Sequence, residues 1–309
     1  MAPDAPNAAL RGLVAMIVCC TIWGLSPLYY KLLAEVPPLK VLAHRTLWSL
    51  VFFAGVIALQ GRLGELRAVV RPGRGLLLIL AAAVMISTNW FLFIFSVQAG
   101  RGLEASMGYY IFPLVAVLFG VTLFSERLSR AGWAAIVLAA LGVAQLAFGL
   151  GAAPWISLGL AGSFGLYGVL KKMITAGPVL SVTAEVLLLA PLALGYLLVT
   201  GMMPGGGSAF GTDPVQTLLL LAAGPITGAP LILFSYASRR LRLASVGLLQ
   251  YLNPTLQFIV AVAIFGELFT PWHGIAFAMI WTALALYSGE LFLADRRARR
   301  ARRSVAPAI

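Results

Sequence analysis

Apolar residues in this chain do not alternate with polar ones along a half-buried face. They run on for about 20 positions at a time and stop at short polar loops. Ten such runs are present: 11–32, 39–60, 75–98, 102–124, 130–149, 154–172, 180–200, 214–237, 243–266 and 272–293. At roughly 1.5 Å per helical residue each matches a hydrocarbon core of about 30 Å. The pattern predicts an all-α integral membrane protein with ten transmembrane helices. A Pro- and Ala-rich start, 1–10, is expected to be disordered, and 294–309 forms a basic tail.

The runs repeat. Leu103–Leu128 returns as Leu243–Leu268, so that Pro113 and Pro254, and Glu126 and Glu267, each lie 141 positions apart. The same offset carries Trp23-Gly24-Leu25 onto Phe164-Gly165-Leu166 and Lys31 onto Lys172, while Ala105-Ser106 matches Ala244-Ser245 at 139. One offset that fits separate segments marks an internal repeat, with a small indel inside it. The chain therefore divides into a first five-helix repeat, 11–150, and a second, 151–293. Five is odd, so the second repeat enters the membrane from the opposite side. Two inverted repeats place a shared site near the midplane and permit alternating access.

Composition supports a lipid-facing surface: 61% of the 309 residues are hydrophobic and 10% charged, against about 25% charged in soluble domains. The net charge of +12 would suggest nucleic acid in a soluble protein, but its placement argues otherwise. Eighteen of the 22 Lys and Arg fall in the N-terminus, the even-numbered loops and the C-terminal tail. That asymmetry puts both termini in the cytoplasm and makes the tail an orientation signal in contact with lipid headgroups. No nucleic-acid partner is expected. Cys19 and Cys20 are adjacent and cannot frame disulfides. The first run is too long for a cleaved signal peptide. Phosphate-binding, zinc-protease and serine-hydrolase motifs are missing, so no enzyme, cofactor or metal is expected.

The chemistry rests on polar residues inside the runs. Trp23, Ser26 and Tyr30 share one helical face; Trp23 and Ser26 line a cavity or belong to an aromatic belt. His44 and Arg45 lie about one to two turns into the second run, where an isolated guanidinium is costly. Two charge pairs are expected, Arg45 with Glu104 and Glu185 with Arg242, unless each group snorkels to its own interface. Asn89, beside Trp90, is a substrate contact or a link between helices. Tyr109 and Tyr110 precede Pro113, which, like Pro254 in the second repeat, is expected to break its helix near the membrane middle. Gln250, Asn253 and Gln257 form a polar stripe at Pro254, with Tyr251 between them. Such stripes beside a proline break expose backbone for binding or join helices. Glu126 and Glu267 close their runs at turns, where Ser129 and Thr270 suit N-caps and Pro271 a first helical turn.

Certain blocks are more specific: IWGLSPLYYK at 22–31, AHRTLWS at 43–49, NWFLFIFSV at 89–97, LEASMGYYIFPL at 103–114, SERLSRAGW at 125–133 and LQYLNPT at 249–255. Through them the chain resembles the EamA family of the drug/metabolite transporter superfamily, and RarD-type proteins within it. The resemblance implies ten helices, cytoplasmic termini, a bacterial inner membrane, and export or exchange of small metabolites or drugs. The site itself follows from the polar and aromatic residues that share helical faces. Trp23, Trp90, Tyr109 and Tyr110 would form an aromatic wall, and Asn89, Gln250, Tyr251 and Asn253 would orient a small amphipathic solute, with Ser26 and Glu104 beside them. Any proton coupling would use Glu104 or Glu185. The fifth and tenth runs, rich in small residues, could face lipid or a second copy in a homodimer. The rival readings are a scaffold with a filled core, a channel or scramblase with a continuous pore, and a membrane-embedded enzyme.

Overall fold

The computed structural model describes residues 6–124, 128–151, 154–202, 210–241 and 243–305, and among these every regular element is helical. The first half holds α1 (Pro6–Leu32), α2 (Pro38–Leu59), a short exposed α3 (Leu63–Val69), α4 (Arg74–Gln98), α5 (Gly102–Phe124) and α6 (Arg130–Leu150). The second holds α7 (Trp155–Met173), α8 (Pro178–Met202), α9 (Pro214–Ser238), α10 (Leu243–Gln250), α11 (Leu252–Ile259), a π-helical turn (Val260–Ile264) and α12 (Pro271–Val305). Seven of them, α1, α2, α4, α5, α6, α8 and α9, are long and apolar enough to cross a membrane. The other three apolar runs are helical as well.

Local chemistry sets the boundaries. Pro38 opens α2 and Pro214 opens α9, where the missing N–H has no intrahelical use. Asp213 caps α9 by accepting from Val215 N at 2.8 Å. Ser129 caps α6 by accepting from Gly132 N at 3.0 Å, as its sequence position suggested. Gly151 ends α6 at φ +65°, a conformation that costs a glycine little. The two termini extend the terminal helices. α1 already begins at Pro6, inside the segment read as disordered, and α12 continues through the basic tail to Val305; residues 1–5 and 306–309 lie outside the described part.

Breaks next to both Pro113 and Pro254 were expected. α5 runs through Pro113 without interruption, whereas the ninth run breaks at Tyr251. Pro254 has no N–H to offer the carbonyl four residues earlier. Just beyond the break, Tyr251 O takes Thr255 Oγ1 at 2.6 Å as well as Thr255 N at 3.2 Å. The π turn then leads to Gly266 at φ +68° and the loop before α12.

The packing follows a regular scheme. α1 lies against α9 and α11, and α7 lies against α4 and α5. α2 contacts α8 and α9, α4 contacts α8, α5 meets α11, and α6 pairs with α12. A Cβ on Gly24 of α1 would come within 2.6 Å of Leu256 Cβ on α11, and one on Gly165 of α7 within 3.1 Å of Val115 Cγ1 on α5. Both Gly165 and Leu256 stand 141 positions after their counterparts Gly24 and Val115. Gly142 lets α6 approach Ala276 O of α12 to 3.3 Å of where a Cβ would stand.

Candidate functional site

α2 carries Arg45 into the interior. It is 7% exposed, and its guanidinium carbon lies 4.1 Å from the centre of the Trp90 ring on α4 and 5.6 Å from that of Tyr30 on α1. The expected Arg45–Glu104 ion pair does not form. Glu104 is instead bound by Arg101, three residues earlier, at 2.6 Å between Nε and Oε1. A neighbour one turn away reaches the carboxylate with little ordering of its side chain. Arg45 finds its attraction in the aromatic faces.

Asn89 and Tyr109 come together. The Tyr109 hydroxyl donates to Asn89 Oδ1 at 2.9 Å, and Asn89 Nδ2 donates to Leu160 O at 3.0 Å and Ser163 Oγ at 3.2 Å on α7. Asn89 is 1% exposed, so a buried amide is satisfied by tying α4 to α5 and α7. In this conformation it links helices. Tyr109 also packs edge-on to Phe93 and Phe164.

Tyr110, about 100° further around α5, faces the other way. It stacks on Tyr251 at 6.4 Å, contacts Phe277 and Trp281 of α12, and its hydroxyl shares a 2.6 Å hydrogen bond with Thr255 Oγ1. Asn253 accepts from Gln257 Nε2 at 2.9 Å on its own helix, and Ser106 Oγ donates to Pro254 O at 2.9 Å. Gln250 ends α10, before the break, and is half-buried. Trp23 is half-buried against Phe234, and Ser26 turns its hydroxyl to Trp23 O at 2.7 Å. The nominated residues thus occupy three neighbourhoods: Asn89 with Tyr109, and Trp90 under Arg45; Tyr110 with Tyr251; and Trp23 with Ser26 on α1, where Gly24 approaches Asn253 O.

Glu185 is fully buried on α8, with Lys171 Nζ at 2.7 Å from Oε1 and the Tyr167 hydroxyl donating to Oε2 at 3.1 Å. The proposed Glu185–Arg242 pair cannot be followed, because Arg242 lies outside the described residues. Lys171 and Tyr167 were not singled out, although the α7–α8 hairpin offered a signal. Residues at similar distances from a tight turn face each other, and Lys171 touches Ser181 as well. Glu267 reaches back to the start of α5, where Gly102 N donates to Oε1 and Leu103 N to Oε2, both at 2.7 Å. It is a turn residue, as expected, but the helix it caps is α5 and not α12. At the start of α12, Thr270 and His273 bond to each other instead. Glu126 lies outside the described residues.

A cavity of about 330 Å³ opens between α2 and α8, lined by Lys40, His44, Trp48, Thr200 and Phe210 among others. His44 stacks on Phe210 at 4.9 Å. None of the nominated residues line it.

The model of the EamA-like transporter family matches residues 10–148. An uncharacterized transporter of Vibrio cholerae is 39% identical over 302 residues, 98% of this chain and 99% of its own. The RarD protein of Streptomyces exfoliatus is 40% identical over 306 residues, 99% of this chain and 96% of its own. A crystal structure covering 91% of this chain and 96% of its own superposes with a TM-score of 0.57 at 20% identity, a likeness of fold alone. Near-complete coverage by bacterial relatives, on a bundle with seven helices long and apolar enough to cross a membrane, makes this a multi-pass membrane protein. The chain belongs to the EamA-like transporter family, as a RarD-type member.

Proposed function

We propose that the chain is a secondary active transporter, an exporter or exchanger of small amphipathic metabolites or drugs, working by alternating access between two inverted repeats of five membrane helices. One observation carries this reading. Gly24 packs on Leu256 in the way Gly165 packs on Val115, and the two contacts exchange partners under a shift of 141 positions. α1 on α9 and α11, and α7 on α4 and α5, follow the same exchange. Helix contacts that exchange in this way when the halves are swapped are what a two-fold relation between repeats would produce. The odd number of spans then makes the repeats antiparallel. With both termini on the basic, cytoplasmic side of a bacterial inner membrane, the first and second repeats would open to opposite sides.

The solute path in this reading passes between the repeats, past Trp23, Ser26, Trp90, Asn89, Tyr109, Tyr110, Gln250, Tyr251 and Asn253. Glu104 is the better proton carrier of the two carboxylates. It is bound on one oxygen only and its side chain is 17% exposed, whereas Glu185 is enclosed by Lys171 and Tyr167. The bilayer and a small solute are the partners needed. A homodimer would have to use faces other than those α6 and α12 turn toward each other.

Purified protein in lipid vesicles, screened with amino acids, nucleotides and antibiotics, tests the proposal. Saturable flux of at least one class, accelerated by the same solute on the far side, is expected. Glu104→Gln should insert normally and lose that flux. Flux no greater than in empty vesicles for every class would leave a scaffold, and non-saturable flux a channel.

A further inference from the structure

Arg45 raises a question that the protein's own groups do not answer. Arginine stays protonated, and a charge inside a membrane bundle normally has a counter-ion or reaches an interface. Arg45 does neither. It starts the third turn of α2, is 7% exposed, and has no carboxylate within 4.0 Å among the described residues. The carboxylates whose side chains are described are engaged elsewhere or exposed. Glu104 holds Arg101, Glu185 holds Lys171, Glu65 holds Arg62, Glu267 takes the N–H groups of α5, and Asp213 caps α9; Glu35 is exposed.

The neighbouring groups on α2 point the same way. Arg45 Nε, Trp48 Nε1 and Ser49 Oγ are all buried without a hydrogen-bond partner. Positions 45, 48 and 49 lie within an arc of about 100° on a helix. All three can donate. Polar groups removed from water without partners are unstable arrangements, and three donors with a fixed positive charge among them suit a ligand that only accepts. The aromatic faces of Trp90 and Tyr30 hold the guanidinium in place and offer flat apolar surface beside it. Lys40 adds a further positive charge at the start of the same helix.

We propose that the transported solute is a small organic anion, a carboxylate on an apolar or aromatic body, and that Arg45 is its counter-ion. This rests on the transporter reading above and adds the substrate class to it. A guanidinium can bind a carboxylate through two parallel N–H bonds, and transport of the neutral analogue would forfeit them.

Binding and flux are measured separately. In detergent, the thermal shift of the full-length protein is recorded with a panel of aryl and alkyl carboxylates, their primary amides and the matching phosphate esters. The same compounds are then followed into vesicles. Carboxylates should stabilise the protein and their amides should not; phosphate esters that match or exceed them would replace carboxylate by phosphate as the recognised group and overturn the stated class. Arg45→Gln should abolish the carboxylate shift. Arg45→Lys keeps the charge and a stable fold but not the paired donors, and should raise the apparent Kd about tenfold. Three results overturn the inference: no carboxylate shifts the protein, amides act as well as acids, or the shift survives in Arg45→Gln. An arginine with a structural role alone would lower the basal Tm in both variants and leave the ligand-induced shift unchanged, which also overturns it. If carboxylates bind through Arg45 but nothing crosses the vesicle, the transporter reading falls and the anion site stands. If neutral solutes cross while Arg45 variants behave as wild type, the reverse holds.

Discussion

Glu267 shows how far a single side chain can act from its place in the sequence. Its two oxygens hold the first N–H groups of a helix that begins 165 positions earlier. Burial pushes its carboxyl above the ordinary value of 4.5, against the pull of those two N–H groups and of Lys31. A raised carboxyl binds its proton more tightly folded than unfolded. The charged form is therefore penalised in the fold, and stability falls as pH rises from 4.5 through the raised value. Glu267→Gln removes that dependence. Its Tm in detergent should start below the wild type, since the amide offers one acceptor in place of two, and gain on it as pH rises through the window. A constant difference would mean the carboxyl titrates normally. The sequence placed Glu267 at a turn through its position before Thr270-Pro271. It could not say which helix end the carboxylate would meet, because that depends on how α5 and the loop before α12 are stacked. The surroundings of Arg45 were missed in the same way. The depth of the residue was legible, but Arg101 lay closer to Glu104 than any inter-helix partner could, and the ring of Trp90 carries no charge to attract notice.

Helices were the most legible level. Runs of about 20 apolar residues leave the backbone few alternatives in lipid, since every N–H and C=O must be satisfied within its own segment. All ten runs are helical where they are described. The break at Tyr251 was legible only in part. Pro113 and Pro254 look alike in sequence, yet only the run holding Pro254 is interrupted, and there Thr255 bonds the Tyr251 carbonyl through its side chain as well as its N–H. Close contact between helices yields a sharper test. On Gly24 an added methyl meets the Leu256 stem and the Asn253 carbonyl, which cannot step aside. On Gly165 it meets the ring edge of Phe119 and a methyl of Val115, which can. Gly24→Ala should therefore cost about 1–3 kcal/mol of unfolding free energy in detergent. Gly165→Ala should cost less than half as much. Equal losses would show that the two interfaces are equally rigid.

For the whole molecule, orientation is the property most open to measurement. The reading with both termini inside rests on where the cations lie. A cysteine at Gly64, in the exposed α3 between α2 and α4, should react with a membrane-impermeant maleimide only in inside-out vesicles. A cysteine at Ala99, exposed at the end of α4, should react only in intact cells. Cys19 and Cys20 are buried and give little background. Labelling of Gly64→Cys from outside would reverse the topology. The grouping of the nominated side chains was the least legible feature. Side chains chosen for sharing a helical face ended in three separate neighbourhoods, because a face says which way a residue points and not which helix it will meet.

The pairing of α6 with α12 bears on how such a chain can arise. Each is the last helix of its half, and each uses its small-residue face on the other. α6 is also the least enclosed of the seven long apolar helices, with 22% of its apolar window buried. Cut at the connection before α7, neither fragment would keep a mate for its terminal helix, and both would present a bare seam to membrane proteases. If the repeats are inverted as proposed, a gene for one half could have been viable alone only if its product also met a copy of itself lying the other way up. Fusion of two such genes would then have fixed permanently an encounter that had depended on chance.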